Sequence, residues 1–171
     1  MQTLPIIAFS AWSGTGKTTI LEQLIPLLKS RGLRVAVLKH DAHDFEIDRE
    51  GKDSWRFSHA GADITVISSG QKTALIEQRS LSVCDILSRI HDADLILAEG
   101  YNDLAAEGLG QAYRLYRIGI SRTSTGRGLR TPAGECIAVM TDDPDLALPA
   151  GTRRIGLQDI SSLTALIMEL L

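Results

Sequence analysis

Ala11-Trp12-Ser13-Gly14-Thr15-Gly16-Lys17-Thr18 stands between an apolar run, Ile6 to Phe9, and an amphipathic segment from Thr19 to Arg31. Strand, glycine-rich loop and helix in that order read as a phosphate-binding loop. A phosphate needs several N–H donors aimed at one point, so glycine is required where a side chain would block the oxygens or where φ must be positive, and Gly14 and Gly16 supply that freedom. Lys17 adds a mobile charge for β and γ phosphates. The Thr18 hydroxyl is placed to ligate Mg²⁺ at the start of a helix whose dipole favours anions. Ser13 to Thr19 therefore predict a nucleoside triphosphate held with magnesium. Ala11 replaces the first glycine of G-x-x-x-x-G-K-[ST] with the smallest side chain available. The competing reading is a glycine-rich turn that happens to precede a helix.

Working outward, Leu4 to Phe9 is apolar enough for a strand covered on both faces. The following helix puts Ile20, Leu21, Leu24, Leu27 and Leu28 on one side and stops at Gly32, with a kink expected at Pro26. Val35 to Leu38 reads as the next buried strand. It ends in Lys39-His40, and Asp41, His43, Asp44, Asp48, Lys52 and Asp53 crowd the loop that follows. In an open parallel sheet the strand ends that carry a phosphate loop also carry the ligand crevice, so this loop is expected over the same site. Asp53 or Ser54 would cap a short helix ended by Gly61.

Ile64 to Ser68 and Thr73 to Glu77 read as a hairpin, expected as an antiparallel edge. Ser82 to Ile90 has helical spacing with Ser80 or Ser82 as cap, and Cys84 is expected to pack inside. Asp94 to Glu99 is a second apolar strand that emerges with an acid. Glu99 is placed like the acid of a Walker B strand, to hold or polarise a magnesium-bound water beside Thr18; a strand-end acid capping a turn is the alternative. Tyr113 to Ile120 is strand-like. Ser121 to Glu135, with Arg122, Arg127 and Arg130 among Gly, Ser and Thr, reads as a solvated surface loop, although a kinase lid would use the same residues. Ile137 to Thr141 leads to Asp142, and a last strand near Arg154 to Leu157 precedes a helix capped by Asp159.

The whole, residues 1–171, is expected as one α/β domain, a three-layer sandwich on a mostly parallel sheet with an antiparallel edge hairpin. Hydrophobic content of 44%, aromatics at 5% and charge at 23% fit an ordinary α/β protein. A net charge of -3 argues against a nucleic-acid partner. Cys84 and Cys136 have no paired spacing, which suits a reducing compartment. No segment approaches the ~18 apolar residues of a membrane span, so a cytoplasmic protein without a membrane partner is expected.

Ala-Phe-Ser-Ala-Trp-Ser-Gly-Thr-Gly-Lys-Thr-Thr at 8–19, Leu-Lys-His at 38–40, Gly-Lys-Asp-Ser at 51–54, Ala-Gly-Ala at 60–62 and Leu-Ile-Leu-Ala-Glu-Gly-Tyr at 95–101 together resemble the molybdopterin-guanine dinucleotide biosynthesis adapter proteins, the MobB family. That resemblance implies a P-loop GTPase-like fold, a homodimer, GTP binding with weak hydrolysis, and assistance to the molybdenum cofactor guanylyltransferase that joins GMP to molybdopterin. By position, Gly14, Gly16, Lys17, Thr18 and Thr19 would cradle the phosphates and Glu99 would stand on the magnesium side. Lys39, His40 and Asp48 would face the same crevice. The pattern departs from the family at Tyr101-Asn102, where an aromatic followed by lysine is common.

Magnesium ligands are thus expected at Thr18, Asp48 and Glu99, with His40 and Glu99 orienting a water. No Asn-Lys-x-Asp element reads guanine, and Asp142 is the candidate base reader. No arginine adjoins the phosphate loop in sequence, so slow turnover is expected. Two other classes compete: a small-molecule kinase, which needs a lid and an acceptor pocket, and a metal-delivery GTPase using His40 and His43.

Overall fold

A computed structural model describes residues 3–41, 45–101, 104, 108–109 and 111–171. Six parallel strands form one sheet: β1 (Leu4–Ser10), β2 (Val35–Lys39), β5 (Leu95–Glu99), β6 (Tyr113–Ser121), β7 (Ala138–Thr141) and β8 (Arg153–Gly156), in the order β2-β5-β1-β6-β7-β8. The strand bearing the phosphate loop is therefore central, with β5 on one side and β6 on the other.

Alternation along β1 and β5 divides the core. Ile7, Phe9, Leu95 and Leu97 face α1 (Lys17–Ser30) and α4 (Ile160–Leu170), whereas Ile6, Ala8, Ile96 and Ala98 face α3 (Val83–Leu87) and Leu104. Successive side chains on a strand point to opposite faces, so an unbroken apolar run is what a sheet with two covered faces demands. Leu24 and Leu28 are fully buried on α1, and Leu24→Ala there would cost about 2–5 kcal/mol. Pro26 lies within one continuous helix, and Gly32 ends it at φ +83.

The hairpin forms with the expected limits, β3 (Ile64–Ser68) and β4 (Thr73–Glu77), but as a two-stranded sheet of its own. It packs on α2 (Asp53–His59). Arg79 and Arg89 both pair with Glu77, tying β4 to the turn after α3 and holding that carboxyl below its usual range. Two local expectations are corrected. Asp53 lies in the first turn of α2 rather than capping it, since the cap position is Lys52. Cys84 is exposed, because α3 is only five residues long and turns Val83 and Leu87 inward instead. Among the described residues no helix is long and apolar enough to cross a membrane.

Candidate functional site: the phosphate loop and its surroundings

The loop after β1 is shaped by two left-handed glycines, Gly14 at φ +82 and Gly16 at φ +93. Gly16 is the N-cap of α1 and offers no side chain, so the first-turn N–H groups are left to a ligand. Ser13, Thr18 and Thr19 are exposed, while Thr15 is buried and donates from Oγ1 to the Trp12 carbonyl at 2.8 Å. Lys17 folds back on the loop, donating from Nζ to the Ala11 and Trp12 carbonyls at 3.1 and 3.0 Å. Burial lowers its pKa from the usual lysine value; the Glu99 carboxylate opposes that shift, and the Arg130 guanidinium adds to it.

Glu99 is the half-buried last residue of β5, in register with Phe9 on one side and Lys39 on the other. The next residue, His40, donates its backbone N–H to the Glu99 carbonyl at 2.9 Å. Its ring stands 5.2 Å from that of Tyr101. Lys39 is exposed and pairs with Asp41 at 3.9 Å. Lys17, Glu99, Lys39 and His40 thus gather at the carboxyl ends of β1, β5 and β2, where an open α/β sheet holds its ligand.

Asp48 accepts from the Arg49 N–H at 2.8 Å through Oδ1, while its Oδ2 is buried without a hydrogen-bond partner among the described residues. No hydrogen bond joins Asp48 to Thr18 or Glu99. A buried carboxylate oxygen with an unused lone pair suits a cation, and the hydroxyl and carboxylate oxygens of Thr18, Asp48 and Glu99 are the hard donors magnesium takes. Among the described residues no group of three or more His, Cys, Asp or Glu gathers at metal-binding distance. Magnesium ordinarily takes one or two carboxylates plus phosphate oxygens and waters. His43 and Asp44 lie outside the described residues.

Asp142 follows β7 and accepts from the Thr123 N–H at 2.7 Å, a bond that holds its carboxyl below the usual range. With Arg122, Thr141, Gly156, Leu157, Gln158 and Asp159 it lines an open recess of about 470 Å³.

Sequence reasoning names Arg122, Arg127 and Arg130 but prefers a solvated surface loop for them over a lid on phosphate. The loop after β6 lies against the phosphate loop: Arg122 donates from Nε to the Thr15 carbonyl at 3.1 Å, and the Arg127 and Arg130 guanidiniums stand 5.6 and 5.2 Å from the Trp12 ring centroid. The hydroxyls of Ser10 and Thr131 are 2.6 Å apart. The reading of Ser121 to Glu135 as a solvated surface loop is therefore corrected at these arginines, because β6 pairs with β1 and both strands leave the sheet at the same end. The available signal was three arginines among small residues directly after a strand; their target was not legible.

Residues 6–142 match the molybdopterin guanine dinucleotide synthesis protein B family. Two curated relatives bear the name molybdopterin-guanine dinucleotide biosynthesis adapter protein. The one from Escherichia coli K12 is 44% identical over 104 residues, covering 57% of this chain and 59% of its own length. The one from Haemophilus influenzae is 39% identical over 102 residues, covering 57% of each. The matched stretch is thus under two thirds of those relatives. Among solved structures, MobB of Bacillus subtilis is similar with a TM-score of 0.72 at 24% identity, over 98% of both chains. A MobB homologue of Bacillus stearothermophilus gives 0.63 at 20%, over 99% of this chain and 97% of that one. These two likenesses concern the fold. By the match across residues 6–142, the chain belongs to the molybdopterin guanine dinucleotide synthesis protein B family.

Proposed function

We propose that this chain is a GTP-binding adapter in molybdopterin-guanine dinucleotide biosynthesis, with slow GTP hydrolysis of its own and the molybdenum cofactor guanylyltransferase as its partner. The observation that carries the reading is the convergence of Lys17 and Glu99 at the ends of two adjacent parallel strands, in a chain of this family. The relatives' shared name supports the adapter role.

In this reading the loop N–H groups from Ser13 to Thr19 and the Lys17 amine hold the phosphates. Thr18, Glu99 and Asp48 hold Mg²⁺, which neutralises phosphate charge. Lys39 borders the same crevice, and Asp142 reads the base from the recess beside Arg122. The adapter resemblance is what supports slow turnover, and the groups in position to orient a water are Glu99 and His40, whose ring centroid is 5.2 Å from that of Tyr101. A protein that holds GTP without consuming it is suited to presenting nucleotide, or molybdopterin, to another enzyme in the cytoplasm.

The proposal includes a homodimer. Val37 on edge strand β2, Ile64, Val66 and Ile67 on β3, Leu75 on β4 and Phe57 on α2 are all large, apolar and exposed. Val66 and Leu75, 58% and 55% exposed, are cross-strand partners. Exposed apolar side chains on the hairpin and the open edge at β2 are each the kind of surface a second copy covers.

The experiment mixes the protein with the guanylyltransferase, molybdopterin, molybdate and GTP and follows activation of a molybdoenzyme. Stimulation by the parental chain and none by Lys17→Ala is expected. No stimulation, or equal stimulation by both, removes the nucleotide-linked adapter. The arginine-rich loop on the phosphate loop is the one observation that favours a small-molecule kinase instead. An ADP-release screen across candidate acceptors separates the two.

A further inference from the structure

The segment from Arg122 to Thr131 is held at one end on the phosphate loop, by the Arg122–Thr15 hydrogen bond, and at the other on the last residue of β1, by the Thr131–Ser10 contact. Between them the chain turns at Gly126, φ +63, and the Thr125 hydroxyl donates to the Arg122 carbonyl at 2.8 Å, so the turn has its own internal bracing. Trp12, at the start of the phosphate loop, is the platform under Arg127 and Arg130.

This arrangement gathers like charge. Lys17, Arg122, Arg127 and Arg130 surround one loop, and none of the three arginines forms an ion pair with a carboxylate among the described residues. The Lys17 Nζ bonds the Trp12 carbonyl at 3.0 Å and the Arg130 guanidinium lies 5.2 Å from the ring centroid of the same residue, so both cations stand against Trp12. Glu99 near Lys17 and Asp142 near Arg122 offset part of this charge, an anion placed between the cations offsets more, and a guanidinium binds phosphate oxygens through two parallel N–H donors. Arg122 is committed to the Thr15 carbonyl and lies where a Cβ on Gly16 would be only 3.2 Å from its Nη2, so it braces the loop. Arg130 carries no such hydrogen bond among the described residues.

We propose that Arg130, carried on Trp12, binds the terminal phosphate of the nucleotide together with Lys17, making the Arg122–Thr131 segment a built-in clamp that prefers a nucleoside triphosphate to a diphosphate. The inference rests on the nucleotide reading above and names a residue for it that lies in another part of the chain. A diphosphate engages the loop amides and Lys17; only the added terminal group extends to the guanidinium.

Calorimetric titrations of GTP and GDP with Mg²⁺ on the full chain test this, comparing the parental protein with Arg130→Ala, Arg130→Lys and Trp12→Phe. Arg130→Ala is expected to weaken GTP about tenfold or more and GDP less than about twofold. Arg130→Lys, which keeps charge but loses the two-pronged geometry, should fall between, and Trp12→Phe should show a smaller loss of the same preference. In a Trp55→Phe background the remaining Trp12 emission should respond to GTP more than to GDP. Equal losses for both nucleotides, or an unchanged GTP preference in Arg130→Ala, would overturn the clamp alone. Failure of the parental chain to bind either nucleotide would remove the nucleotide reading and the clamp with it.

Discussion

Gly100 and His40 are in such close approach that a Cβ on Gly100 would lie 2.5 Å from the His40 carbonyl oxygen. Gly100 also has φ +83, a left-handed backbone that side chains resist. The ends of β5 and β2 can come together beside the phosphate loop only because this position lacks a side chain.

Gly100→Ala is therefore expected to be more damaging than Gly14→Ala. Gly14, at φ +82, has open space around its missing Cβ and would pay only the left-handed backbone cost, about 1–2 kcal/mol. Gly100→Ala pays that cost and must also displace the β2 end. Urea denaturation of the two variants checks the ranking; equal midpoints would contradict it.

Lys17→Ala should abolish measurable GTP binding with an unchanged circular dichroism spectrum, since among the described residues the amine hydrogen-bonds loop carbonyls and no core group. The pH dependence has a definite sign. Burial lowers the free-state Lys17 pKa, and a bound phosphate would raise it again. Between the two values the complex holds more protons than its free components, so GTP affinity falls as pH rises, beginning below the ordinary lysine value of about 10.4. Calorimetry in buffers of different ionisation enthalpy should show proton uptake on binding in that alkaline window, and affinity flat to pH 11 would contradict it.

Glu99→Gln and Asp48→Asn should each lower magnesium-dependent GTP hydrolysis more than they lower binding of magnesium-free GDP. Carboxylates that act through the metal matter little without it. Asp48→Asn is also expected to leave folding intact or improve it slightly, because it removes a charge whose Oδ2 is buried without a partner. Parental hydrolysis rates in both variants would take the two acids out of the magnesium site.

Val66→Asp and Leu75→Asp should each convert a dimer to monomers in sedimentation while leaving the six-stranded sheet folded, since both side chains stand on the exposed hairpin. Burying a carboxylate against a second apolar patch costs several kcal/mol. A single species at 18.6 kDa for the parental chain across micromolar concentrations would remove the dimer.

The phosphate loop, its helix and the Glu99 strand were legible because each is written in consecutive residues. Gly14, Gly16 and Lys17 announce a local backbone geometry, and an unbroken apolar run from Leu95 to Ala98 announces a strand covered on two faces. The hairpin was legible as a hairpin for the same reason. Its separation from the main sheet was not, because Val66 and Leu75 read as strand residues wherever the strand is placed.

By itself the sequence determined the strand–loop–helix unit, the alternation that splits the core between two faces of the sheet, and the acid at the end of β5, since these depend on spacing, side-chain size and backbone freedom along a few adjacent residues. Only the tertiary structure decided what stands around them. The parallel pairing of β6 with β1 joins Arg122 to Thr15 across 107 positions of sequence and lays Arg127 and Arg130 over Trp12. Strand order is a property of the whole sheet, chosen by which apolar surfaces cover one another, and no local pattern in the loop from Ser121 to Glu135 records that choice.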